Sequence, residues 1–74
     1  MAFSIEFLKI YDRKINSGEI TFRESGITMN DFTQMCIVDG FVMPEDNLKV
    51  VCEKMNLSKE EIELLYKEAG YNLP

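Results

Sequence analysis

The chain has 74 residues, 46% of them hydrophobic, with 13 acidic and 8 basic side chains and a formal net charge of −5. Compact domains need on the order of 50 to 200 residues, so this length predicts one domain and leaves no room for a second core. The sequence has no histidine and only two well-separated cysteines, Cys36 and Cys52, which excludes the common zinc and haem sites; no metal or other cofactor is predicted.

The first predicted element is a helix from about Ser4 to Ser17. Ser4 is a favourable N-cap residue, and Gly18 is suited to end the helix because glycine adopts the left-handed conformation without a steric cost. Apolar side chains recur at the spacing of one helical face, at Phe7, Leu8, Tyr11 and Ile15.

Two capping-box spacings predict where the next helices begin. In Thr21-Phe22-Arg23-Glu24 and again in Thr28-Met29-Asn30-Asp31, an acidic residue follows a threonine at the distance that satisfies amides at a helix start. The first box opens a single helical turn that Gly26 closes. The second opens a third helix that ends at Asp39-Gly40. The side chains predicted to turn inward from it are Phe32, Met35 and Cys36.

Two further helices complete the predicted order. Pro44 is favoured in a first helical turn, and the acidic residues after it suit the positive end of the helix dipole. Ser58 and Glu61 form a third capping box, which opens a fifth helix ending at Gly70. The apolar stripes of these helices are Leu48, Val51, Cys52 and Met55 in the fourth and Ile62, Leu65, Tyr66 and Ala69 in the fifth.

These elements predict an all-α fold, a compact bundle of four to five short helices in a single domain over residues 1–74. No segment shows sustained apolar alternation bounded by hairpin turns, and only residues 40–43 are predicted to be briefly extended. Residues 1–18 form the N-terminal helix of this domain. One shared core is predicted for Phe7, Leu8, Tyr11, Ile15, Phe32, Met35, Cys36, Leu48, Val51, Cys52, Met55, Ile62, Leu65 and Ala69.

Four pieces of the chain form one recognisable pattern: Gly26-Ile27-Thr28, Asp39-Gly40 with Pro44, the Leu48–Met55 helix followed by Asn56-Leu57-Ser58, and the ending from Leu64 to Tyr71. On these pieces, residues 20–71 resemble the phage-repressor (Cro/Xre-type) helix-turn-helix family. The sequence departs from the family in two places: the stretch from Gly26 to the Asp39-Gly40 corner is about two residues longer, and Val38 replaces the glutamate that usually precedes the corner.

The resemblance implies a helix-turn-helix arrangement in which the third helix reads DNA and the protein acts as a dimer. Near the start of that helix, side chains able to hydrogen-bond base edges are Thr28, Asn30, Thr33 and Gln34. No lysine or arginine occurs between Arg23 and Lys49, so contacts to phosphate must come from neighbouring elements. The predicted phosphate contacts are Arg13, Lys14 and Arg23. The net negative charge opposes this interpretation, because it repels a polyanion at long range.

A second predicted site is an apolar run that one small bundle would not bury entirely. Left exposed, it would form a protein contact, either a homodimer interface or a docking site for another regulatory protein. In the other interpretation, the run simply fills the core of its own bundle. Its members are Ile37, Val38, Phe41, Val42 and Met43.

Enzymatic activity is not predicted. Without histidine, catalysis would need paired carboxylates or an activated cysteine, and neither Cys36 nor Cys52 has a basic partner at a motif spacing. The sequence shows no secretory leader and no apolar run near the roughly 18 residues of a membrane span, so the cytoplasm is the expected compartment. The predicted function is a repressor-type DNA-binding regulator. The alternative is an adaptor or antirepressor-type protein that does not bind DNA and engages another protein through residues 37–43.

Overall fold

The computed structural model describes residues 2–73, and all the regular structure in this range is helical. The all-α bundle predicted from the sequence is therefore confirmed. No helix in the described range is both long and apolar enough to cross a membrane. The five helices are α1 (Phe3–Asn16), α2 (Phe22–Ser25), α3 (Met29–Ile37), α4 (Glu45–Lys54) and α5 (Lys59–Ala69).

The capping residues begin three of these helices where the sequence predicted. Thr21 and Ser58 each form a complete capping box with the glutamate three residues later. Thr28 caps α3 through a hydroxyl that accepts a hydrogen bond from the Asp31 amide at 3.0 Å. The Asp31 carboxylate does not complete a box there, because it is bonded to α4 instead.

Two helix ends differ from the prediction. Helix α1 begins at Phe3 with Ala2 as its N-cap, so Ser4 lies inside the helix. Its hydroxyl donates to the carbonyl oxygen of Phe41 at 3.2 Å, a tertiary contact that replaces the predicted cap. Helix α3 ends at Ile37, and Val38 is already extended. Two consecutive β-branched residues disfavour helix, which accounts for the end of α3 before Asp39-Gly40.

Helices α1 and α5 pack against each other, and α2 packs against α4. The α1–α5 pair and the α2–α4 pair share one core, in which Phe7, Leu48 and Leu65 are completely buried. Most of the predicted core residues are buried or packed against this core, but Cys36 is exposed and its inward assignment was wrong. Cys36 lies within α3 but on its exposed side, so Phe32 and Met35 carry the apolar contact of this helix with the core. Tyr66, predicted on the apolar stripe of α5, is also buried, and the core residues that the prediction omitted are Phe3, Ile10, Ile27, Met43 and Leu57.

Candidate nucleic-acid interface

The outward side of α3 carries uncharged side chains. Met29, Asn30 and Thr33 are exposed and Gln34 is half-buried, and helical periodicity places all four on one side of α3. We call these four residues the α3 face. Thr28 lies at its N-terminal end, exposed, with its hydroxyl oxygen engaged in the cap. The structure therefore brings the predicted base-reading residues together at one end of a nine-residue helix.

Asp31 is the one charged residue in α3, and it points away from the α3 face. Its side chain is buried, with 4% exposure, and Oδ2 accepts a hydrogen bond from Nδ2 of Asn47 at 2.9 Å. This bond joins the first turn of α3 to α4. An acidic group that would repel a phosphate backbone is thereby withdrawn from the surface.

Two of the three predicted phosphate contacts are already engaged within the protein. Lys14 is buried, and its ammonium donates to Glu19 Oε1 at 3.1 Å. Hydrogen bonds from Ser17 and Lys14 lower the pKa of Glu19. Lys14 is therefore not available to a phosphate, which corrects its assignment. Arg13 is exposed, but its guanidinium forms an ion pair with Glu61 of α5.

The third predicted contact, Arg23, is exposed on α2, and no carboxylate lies within ion-pair distance of it in the described residues. The adjacent Glu24 carboxylate is occupied at the cap of α2, where it accepts from the Thr21 amide at 2.9 Å. Arg23 therefore keeps a free cationic group next to the turn that leads into α3.

Lys54 is a second cation at this turn, and the sequence analysis missed it. Its aliphatic stem lies against Gly26: a Cβ placed on Gly26 would be 2.9 Å from Cδ of Lys54 and 3.3 Å from Cγ. Lys54 is exposed and, within residues 2–73, has no carboxylate partner. No local pattern links Lys54 to Gly26, because only the packing of α2 on α4 brings them together.

The apolar run proposed as a protein contact divides into two parts. Ile37 and Val38 are exposed, at 71% and 42%, whereas Phe41 and Val42 are half-buried against the core. Met43 is completely buried, so its assignment to an interface was wrong. Hydrogen bonds hold this segment inward: Ser4 donates to the Phe41 carbonyl, and the Tyr71 hydroxyl donates to the Met43 carbonyl at 2.8 Å.

The described residues contain no group of three or more histidine, cysteine, aspartate or glutamate side chains placed to hold a metal ion. Both cysteines are free thiols. Burial, with a smaller effect of Glu53, raises the pKa of Cys52 to about 11, so this thiol stays protonated near neutral pH. Cys36 is exposed on α3. The Cys52 thiol, buried near Glu53, lacks the electropositive surroundings that activate a nucleophile.

A shallow groove lies on another part of the surface, between α5 and the C-terminal segment. It is lined by Lys59, Ile62, Glu63 and Leu73. A single carboxylate beside a single ammonium, without a nucleophile or a second acid, is a poor basis for acid–base chemistry. The α3 face, with the two cations at its N-terminal turn, is chemically the more specific surface.

No family model, no curated protein and no solved structure matches the chain significantly. The resemblance to repressor-type proteins therefore rests on the residues quoted above. The chemistry of α2, α3 and α4 carries the functional inference.

Proposed function

We propose that the protein is a small regulatory protein of the repressor type that binds DNA through α3 and acts as a dimer. In this proposal α2, the turn at residues 26–28 and α3 form the helix-turn-helix pair. One observation carries it: the first two turns of α3 expose hydrogen-bonding side chains and no charge, and beside them lie Arg23 and Lys54, which have no carboxylate partner among residues 2–73.

The proposed contacts divide into two kinds. Asn30, Thr33 and Gln34 provide donors and acceptors for base edges in the major groove. Arg23 and Lys54 provide phosphate contacts, which fix the register of the helix without reading sequence. The separation of the two kinds suits a recognition helix, because phosphate contacts come from the elements that flank it.

The net charge of −5 sets the expected strength of this binding. A negatively charged protein is repelled by DNA at long range, so non-specific affinity should be weak. Local cations still contribute through counterion release, and each phosphate contact adds about 0.9 to the slope of log affinity against log salt. Two contacts in each protomer give a dimer a slope of roughly −3.5.

Ile37 and Val38 are the proposed dimer contact. They are exposed apolar residues at the C-terminal end of α3, and the half-buried Phe41 and Val42 lie in the segment that follows. A symmetric dimer would cover them and would present two copies of α3 to two half-sites. The exposed thiol of Cys36 persists most readily in a reducing compartment, which favours the cytoplasm.

A second candidate function uses the same apolar residues without DNA. The high exposure of Ile37 favours a contact with another protein, and a small adaptor or antirepressor would bury it against a regulatory partner. This candidate makes no use of Arg23 or Lys54. The two functions therefore differ in whether these cations matter.

A salt series on DNA binding tests the proposal. Fluorescence anisotropy of a labelled duplex pool of random sequence, titrated between 25 and 200 mM salt, should show binding that weakens steeply as salt rises. The variants Arg23→Ala and Lys54→Ala should each reduce the slope, by about 0.9 per protomer. Lys67→Ala is the matched control, since Lys67 is an exposed lysine in the last turn of α5. Absence of binding at the lowest salt, with protein well above micromolar concentration, would favour the adaptor function.

A further inference from the structure

We infer that the DNA sites of this protein are built on A·T pairs read in the major groove. The inference rests on the proposed function and specifies its target. Its evidence is the chemistry of the α3 face, where Met29, Asn30, Thr33 and Gln34 are the side chains presented outward.

The α3 face has none of the charged side chains that read a G·C pair. Guanine is read mainly by arginine or lysine, which donate to O6 and N7, and cytosine by a carboxylate that accepts from N4. The α3 helix contains neither arginine nor lysine. Its one carboxylate, Asp31, is 4% exposed and bonded to Asn47, so it is unavailable to cytosine.

The side chains that are present match an A·T pair. The amides of Asn30 and Gln34 can each donate to N7 and accept from N6 of adenine in a bidentate contact. Met29 is 66% exposed at the first position of α3, where a flexible apolar side chain can pack against the methyl group of thymine. Thr33 lies between Met29 and Asn30 around the helix, and its hydroxyl can bond to either base.

The preference for A·T pairs depends on the fold, because the fold buries Asp31. If its carboxylate were free, it would offer a cytosine contact and would repel nearby phosphates. The hydrogen bond from Asn47, 2.9 Å long, holds it under α3. The hydrogen bond from α4 therefore leaves the outer side of residues 29–34 with amides, a hydroxyl and a thioether, and the last turn of α3 exposes Cys36 and Ile37.

Selection from a random duplex pool, followed by sequencing, tests the inference. We expect the bound duplexes to be enriched in A·T pairs within each half-site. Asn30→Ala and Gln34→Ala should each reduce the preference for the selected site over a G·C-substituted site by roughly 5- to 150-fold. Asn72→Ala is the control, because Asn72 is an exposed asparagine in the C-terminal segment.

Base analogues in the selected duplex separate the contacts. Replacing thymine by uracil removes only the methyl group and should weaken binding about fourfold for each contacted base. Met29→Ala should bind the two duplexes equally, whereas Ile5→Ala, at an exposed position of α1, should keep the difference. Replacing A·T by hypoxanthine–cytosine pairs gives the major groove a guanine-like pattern and keeps an A·T-like minor groove, so binding should fall to the G·C level.

Retained duplexes enriched in G·C pairs, or tight binding to the hypoxanthine-containing duplex, would overturn the inference while leaving DNA binding intact. A pool from which no duplex is retained would overturn the proposed function and the inference with it.

Discussion

At the scale of single residues, Gly26 connects the fold to the proposed site. Its φ of +79° is the left-handed conformation, and its missing side chain makes room for the stem of Lys54. Gly18 has nearly the same φ, +78°, and open space where a Cβ would be. Both glycines therefore adopt the left-handed conformation, but only Gly26 lies against another side chain.

We expect Gly26→Ala and Gly18→Ala each to lower the free energy of unfolding by about 1 to 2 kcal/mol, because both place a Cβ in the left-handed region. The flexible Lys54 side chain can move aside, so stability should fall similarly in both. Only Gly26→Ala should displace Lys54 and reduce the salt dependence of DNA binding. Urea denaturation and the anisotropy series measure the two effects. Equal DNA binding by the two variants would contradict the role given to Lys54.

The buried thiol of Cys52 predicts loss of stability at alkaline pH. The pKa rises from 9.0 to about 11 on folding, so the folded state keeps a proton that the unfolded state releases. The contribution of this thiol is complete below about pH 9 and is lost as pH rises towards 11. Burial also raises the pKa of Tyr11 and Tyr66, in the same direction. The denaturation midpoint should fall progressively from pH 8 to pH 9 and pH 10. The decline should be smaller in Cys52→Ala than in the parent chain. An equal decline in both proteins would contradict this assignment.

At the scale of helices, the sequence predicted the termini that local capping residues determine and missed those that tertiary contacts or β-branched residues shift. A capping box is local, so Thr21 and Ser58 identify the beginnings of α2 and α5 without any knowledge of packing. Ser4 failed as a cap because its hydroxyl bonds to Phe41, a residue distant in sequence. The position of Lys54 against Gly26 was equally inaccessible, since no periodicity encodes the packing of α2 on α4.

Helix α4 provides a matched test of which side of a helix is buried. Leu48 is completely buried, whereas Val50 on the same helix is 45% exposed. We expect Leu48→Ala to lower the free energy of unfolding by about 2 to 5 kcal/mol, and Val50→Ala to change it by less than about 0.5 kcal/mol. Thermal unfolding followed by circular dichroism distinguishes the two. Similar losses in both variants would show that the buried side of α4 was wrongly assigned.

At the scale of the whole molecule, a short chain buries little core, and association would add stability by mass action. Sequence analysis identified residues 37–43 as apolar, but only the fold shows that Met43 fills the core while Ile37 reaches solvent. Apolarity alone does not distinguish a core residue from an interface residue. The hydrogen bonds from Ser4 and Tyr71 join the Phe41 and Met43 backbone to the bundle, and both donors lie in remote parts of the chain.

The proposed dimer predicts that Ile37→Asp gives a folded monomer. An aspartate in the interface would be a buried, unpaired charge, which typically costs several kcal/mol. Because Ile37 is 71% exposed in the monomer, the fold itself should tolerate the change. Sedimentation equilibrium should show a concentration-dependent dimer for the parent chain and for Ile5→Asp, an exposed control on α1. A parent chain that stays monomeric at millimolar concentration would contradict the dimer.

Amide chemical shifts test, residue by residue, whether α3 is the surface that contacts DNA. Titrating the isotopically labelled chain with the selected duplex should shift the amide signals of residues 26–34 most strongly. The signals of Arg23 and Lys54 should shift by smaller amounts, and those of residues 59–69 in α5 should change little. Spectra that stay unchanged, or shifts confined to residues 37–43, would contradict the account and would place the functional surface on the apolar segment instead.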